Sequence, residues 1–217
     1  MTYGDMYNEI VLRAYSTTVP PENTAGYIRR KMKACQRMIN RDYNFWFSLE
    51  QAVTITTVVN QRDYALPTNF KELERCNFVI NLQSYNGPKL RLMNLMDDID
   101  DGYDQSSVAV EYPTDMKVDG TTISLYPLPS EVRTLNIKYW KFLPLVDDTD
   151  EALFNADEDA ISIYCCEALI SYVLAGIKVD QNEWEASQIL KQEYLEAIEG
   201  AKFEDTVRRQ IPENEAP

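Results

Sequence analysis

Apolar positions along this chain change period twice. Ile28, Met32, Cys35, Ile39, Tyr43 and Trp46 recur at steps of three and four, the spacing of one helical face. From Gln51 the period falls to two. Val53, Ile55, Thr57 and Val59 alternate with partners in a run rich in β-branched residues, which predicts a strand. After Asp147-Asp148-Thr149-Asp150 the helical period returns, with Ile161, Tyr164, Cys165, Ala168, Tyr172 and Ala175 on one face. A last helix packs through Ala186, Leu190, Tyr194, Ala197 and Ile198.

Finer signals fill in this outline. Met6, Ile10 and Ala14 predict a short amphipathic helix over 3–15, and Pro20-Pro21 breaks the chain after it. Tyr64-Ala65-Leu66, Asn77–Leu82, Leu90 with Leu92, and Val108-Val110-Tyr112 read as further strands. The Asp119-Gly120 turn leads to a strand through Ile123 and Leu125, and Leu135, Ile137 and Tyr139 form the last one. Asn155 with Glu158 resembles a capping box, and Asp180 with Glu183 repeats that start signal. From Arg208 the pattern fades into Pro212-Glu-Asn-Glu-Ala-Pro.

The order is helices, strands, helices. It implies an α+β fold: a helical bundle formed by N- and C-terminal helices with an inserted antiparallel β module. The expected segments are 1–48 and 155–207 for the helical domain, 50–146 for the β module and 208–217 for a flexible tail. Neither helical block carries an apolar face large enough to stand alone, so the two should pack on each other.

Charge sharpens this division. Residues 147–217 hold 18 Asp/Glu against 5 Lys/Arg, a net of −13, out of −14 for the whole 217-residue chain. An acidic protein repels phosphate backbones at long range, which argues against a general nucleic-acid binder. The counter-charge is local. Arg29, Arg30, Lys33, Arg37 and Arg41 fall opposite the apolar face of the second helix. That stripe reads either as solvated surface or as a docking face for an acidic surface, this protein's own C-terminal third or a neighbouring copy's.

Candidate chemistry is sparse. The chain has no histidine, which removes the usual Ser–His–Asp, Cys–His and His-metal arrangements. Cys35, Cys76, Cys165 and Cys166 form no CxxC pair and read as packed thiols. Asp97-Asp98-Ile99-Asp100-Asp101-Gly102 invites a calcium reading, but an EF-hand frame puts Ile99 and Val108 where oxygen ligands are needed. A solvated loop is the better reading. There is no Walker A sequence and no GxGxxG. The expectation is a protein with no catalytic, cofactor or metal residues and no membrane span, made in a reducing cytoplasm.

Several stretches carry a resemblance. A helix ends in Asn44-Phe45-Trp46-Phe47, and a β segment follows with Thr56-Thr57-Val58-Val59-Asn60-Gln61-Arg62-Asp63-Tyr64-Ala65-Leu66-Pro67. A later strand reads Ile123-Ser124-Leu125-Tyr126-Pro127-Leu128-Pro129, leading to Tyr139-Trp140-Lys141-Phe142-Leu143-Pro144. With acidic helices last, this succession resembles tailed-bacteriophage head-to-tail adaptor proteins, the head-completion or tail-tubular-A-like family. The resemblance implies a structural virion protein in the neck between capsid and tail, without an active site. It implies a ring of about twelve copies that binds the portal and a tail or nozzle protein, and through which genomic DNA passes during ejection without specific binding. The Arg29–Arg41 stripe becomes a candidate subunit interface. The end of the chain, with Phe203, Val207, Arg208, Arg209 and Ile211, becomes a candidate portal-docking arm. Acid-rich helical surface could line the channel or meet the basic stripe of a neighbour. The alternative from another class is an acidic α+β binding module acting as a cellular regulator of a basic partner.

Overall fold

The computed structural model describes residues 1–22, 24–79, 88–92 and 109–210, with the side chains of 51, 52 and 207–210 left aside. Its elements are helices α1 (Tyr3–Tyr15) and α2 (Thr24–Asp42), a 3-10 turn at Trp46–Ser48, strands β1 (Leu49–Thr56), β2 (Asp63–Ala65), β3 (Phe70–Phe78), β4 (Arg91–Leu92), β5 (Asp115–Asp119), β6 (Thr122–Tyr126) and β7 (Thr134–Lys141), then helices α3 (Glu151–Ala156), α4 (Ala160–Tyr164), α5 (Cys166–Asp180) and α6 (Trp184–Gln210). The fold is α+β. Two compact units form, Met1–Phe47 with Leu143–Pro217, and Ser48–Phe142.

In the helical unit α5 is the central helix. It is apolar on most sides (Leu169, Ile170, Val173 and Ile177 are all buried) because α1, α2 and α6 all pack on it. α1 contributes Tyr3, Met6 and Ile10, α2 contributes Ile28, Met32, Cys35 and Ile39, and α6 contributes Ile198. These are the positions that the three-and-four spacing selects. α1 begins with a capping box in which Thr2 and Asp5 satisfy each other's backbone N–H.

The β unit has a three-stranded antiparallel sheet, β1-β7-β3, and a four-stranded sheet, β2-β6-β5-β4. β7 inserts between β1 and β3, with Ile137 opposite both Val53 and Cys76. Phe78, Leu135, Ile137 and Tyr139 from one sheet share a core with Tyr64, Met116, Ile123 and Leu125 from the other. Gly120, at φ +56°, opens the two-residue turn between β5 and β6, where a left-handed first position favours glycine.

Several elements differ from the sequence expectation. β3 starts at Phe70, seven residues before Asn77; register shifts between Phe70 and Glu72 and between Leu73 and Arg75 interrupt the apolar alternation that would have marked this part of the strand. The expected strand at Val108–Tyr112 is an isolated bridge from Val110 to Pro129 and a bend, with Val108 outside the described residues. β4 pairs in parallel with β5, although Lys89 just before it bridges Asn77 as a hairpin partner would. The helix expected across Ile161–Ala175 breaks at Cys165, whose backbone leaves the helical region. Its cap is Asp159, which accepts from Ser162 N, and not Asn155, which lies inside α3. Asp180 ends α5 instead of starting α6. The acidic stretch 97–102, expected to be a solvated loop, lies outside the described residues.

Candidate functional site

The surface of α2 is built from three rows. One row, Ile28, Met32, Cys35 and Ile39, is buried. A second, Arg29, Lys33, Gln36 and Asn40, follows the spacing i, i+4, i+7, i+11 and clamps the chain returning from β7. Asn40 donates to Leu143 O (2.9 Å) and accepts from Leu143 N (3.1 Å). Gln36 donates to Pro144 O (3.1 Å) and to Asp159 Oδ2 (2.6 Å), and its oxygen accepts from Val146 N (2.9 Å). Lys33 reaches Asp148 at 2.5 Å and Arg29 reaches Glu151 at 3.1 Å. An irregular segment that carries unpaired backbone groups is held here by side-chain amides, as buried polar groups require.

The third row is Arg30, Ala34, Arg37 and Arg41, at the same spacing and exposed. The five basic residues expected as one stripe are therefore split. Arg29 and Lys33 are engaged inside the chain, whereas Arg30, Arg37 and Arg41 point outward. Arg41 meets its neighbour Asp42 in an exposed pair, of a kind that contributes little. Among the described residues Arg30 and Arg37 form no ion pair.

Asp159 ties the unit together. Its carboxylate accepts from Tyr3 Oη (3.2 Å), Gln36 Nε2 and Ser162 N (2.7 Å), joining α1, α2 and α4. Burial holds its pKa above the usual carboxylate value despite those hydrogen bonds. Sequence reasoning passed over Gln36, Asn40 and Asp159. The signal for the first two was a pair of amides at i, i+4 beside an apolar face, which sequence alone does not separate from a solvated surface.

α6 presents an exposed surface of mixed acidic and apolar residues. Trp184, Ile189, Leu195 and Phe203 are each more than half exposed. Glu185, Glu193, Glu196, Glu199 and Glu204 are exposed among them. The helix continues to Gln210, past the point where the apolar pattern fades, so Phe203, Val207, Arg208 and Arg209 are helical. Asp205, also assigned to the arm region, is buried and accepts from Trp46 N. Ile211 lies outside the described residues.

Cys35, Cys76 and Cys165 sit where burial disfavours their reactive form. Cys35, Cys76 and Cys165 are buried, and loss of solvent pushes the Cys76 and Cys165 thiols up to about 12. Among the described residues no group of three or more Asp, Glu or Cys is placed to hold a metal ion, and no helix is long and apolar enough to cross a membrane.

The family described as SU10 adaptor protein matches this chain over residues 1–214. No curated protein matches it.

Proposed function

From the premise that the chain belongs to the SU10 adaptor protein family, a phage head-tail adaptor family, we propose that it acts as a closed ring between portal and tail. About twelve copies would continue the DNA channel in the neck of the virion, without catalysis. The observation that carries this reading is the family match over nearly the whole chain. A structural role in joining head to tail, association with portal and tail proteins, and a place in the virion neck follow from family membership.

Physical features favour the finer parts. A chain of net charge −14 lets DNA slide past without sticking, because like charge suppresses phosphate contacts. The outward basic row of α2 and the acidic, partly apolar outer face of α6 offer contacts between copies. We assign portal docking to the end of the chain, with Phe203, Val207, Arg208, Arg209 and Ile211, of which Phe203 is strongly exposed.

The test is the native mass of a tagged chain recovered with its portal. Twelve copies of a 25.1 kDa chain give an assembly of about 300 kDa beside the portal ring. A monomer or dimer bound to one cellular partner would overturn the ring and favour the regulatory alternative.

A further inference from the structure

Two exposed stripes of the helical unit share one geometry. On α2 the stripe is Arg30, Ala34, Arg37 and Arg41. On α6 it is Glu185, Ile189, Gln192 and Glu196. Both follow i, i+4, i+7, i+11, so each set falls within about 60° of arc and spans about 16.5 Å of helix. Aligned in parallel, arginine faces glutamate at both ends and small Ala34 faces large, exposed Ile189. Arg37 then faces Gln192. The Gln192 amide already donates to Glu196 (3.1 Å), which leaves its oxygen free to accept from a guanidinium.

Direction within one chain agrees with this register. Tyr27, at the start of α2, bonds Asp180 at the end of α5, and Phe47, just past α2, stacks on Tyr164 just before α5. α2 is thus antiparallel to α5. α6 returns along α5 after a three-residue turn, and its far end meets the far end of α2 where Lys202 lies 4.6 Å from the Tyr43 ring centroid. α2 and α6 therefore run the same way. In a ring whose axis follows them, α2 of one copy and α6 of the next are parallel.

We infer that the Arg30–Arg41 stripe of one copy docks on the Glu185–Glu196 stripe of the next, with Ile189 seated over Ala34. The inference rests on the adaptor-ring reading and names its contact. The occupant is a second copy of this chain because each stripe matches the other in charge, spacing and direction, and among the described residues both stay exposed, Arg41 in its exposed pair with Asp42 included. The stripes are different surfaces, so pairing them leaves one of each kind open at the ends, and association propagates until it closes. Ala34 leaves room for the two helices to approach at the usual distance for packed helices. The guanidiniums set register and suppress wrong partners.

The experiment uses two full-length variants, each mixed with purified portal ring: Arg30→Glu with Arg41→Glu, and Glu185→Arg with Glu196→Arg. All four side chains are exposed, so melting temperatures should match the parent chain. Each variant alone should need at least a tenfold higher concentration to assemble, read by native mass spectrometry. Mixed together they should recover parent-like assembly as alternating copies, since every contact then joins opposite charges. Failure of the mixture to recover, or normal assembly of each variant alone, overturns the inference while the ring reading stands. Ala34→Trp probes the same contact without changing charge. It should also weaken assembly, and if the charge variants misfold, normal assembly of this one overturns the inference. A parent chain that forms no ring with portal overturns the ring reading itself, and the inference with it.

Discussion

Gly4 shows how one atom can decide a packing. A Cβ at Gly4 would lie 2.7 Å from the backbone oxygen of Asn155, where α1 crosses α3. Alanine is the better helix former by about 1 kcal/mol, but backbone yields less than a flexible side chain. The clash should win. Gly4→Ala is expected to lose about 1–3 kcal/mol net, measured by urea unfolding. Asp159 is the second such residue. Asp159→Ala removes a helix cap and strands the Tyr3 hydroxyl and the Gln36 amide, an expected loss of about 2–4 kcal/mol. Asp159→Asn should cost less, because burial already favours the neutral carboxyl. The sign follows from the raised pKa. The folded state holds this proton more tightly than the unfolded one, whose value is near 3.8. Its contribution is therefore full below that value and falls as pH rises through the folded pKa. Comparing unfolding free energies of the Asn variant and the parent from pH 3 to 7 should isolate that slope. Neither role was fully legible in the sequence, since Gly4 meets Asn155 and Asp159 meets Tyr3 and Gln36, partners remote along the chain.

At the scale of elements, α2 separates clamp from outer surface. Gln36→Leu should cost about 2–4 kcal/mol, because the buried Val146 N loses its acceptor and the half-buried Asp159 carboxylate loses a donor. Arg30→Ala and Arg37→Ala should change folding stability by no more than about 0.5 kcal/mol. Equal effects on both rows, in thermal or urea unfolding, would contradict this division. Lys33 belongs with the clamp. Its hydrogen bond holds the Asp148 carboxyl below the usual range, so this contribution is present above about pH 3.8 and lost as pH falls through the lower folded value. Lys33→Met should remove that acid-side loss, seen in the pH dependence of the melting temperature. The helical face of α2 could be read from apolar spacing alone. Its division into a clamp and an outer row could not, because a helix wheel shows direction and not what lies there. The strand β3 was only partly legible for a different reason: its register shifts between Phe70 and Glu72 and between Leu73 and Arg75, and such irregularities break the two-residue period.

At the scale of the whole molecule, sorted charge is the main feature. Pairing of exposed stripes should weaken as salt screens them, with a Debye length near 8 Å at physiological ionic strength and about 3 Å at 1 M. Ring mass in sedimentation should fall over that range if ionic contacts dominate, and persist if Ile189 and its apolar neighbours do. Removing residues 211–217 keeps Asp205 on Trp46 N, and an unchanged unfolding midpoint is the control for that variant. If this segment docks on the portal, the truncated chain no longer co-purifies with it. A cut at 205 would be a poorer test, since it also removes Asp205 from Trp46 N.

The α+β class, the helical and strand periods, the lack of histidine and the acidic last third can be read from residue order and composition, because they are local or compositional properties. Block order and strand-edge motifs also carried the resemblance to phage head-to-tail adaptors. The fold, and not the spacing, sets Gln36, Asn40 and Lys33 on the returning chain and lets Asp159 join three helices. It also decided that Arg30, Arg37 and Arg41 are left pointing outward. Those assignments depend on which distant backbone and carboxylate groups the fold brings within hydrogen-bond reach, and periodicity along one helix holds no record of them.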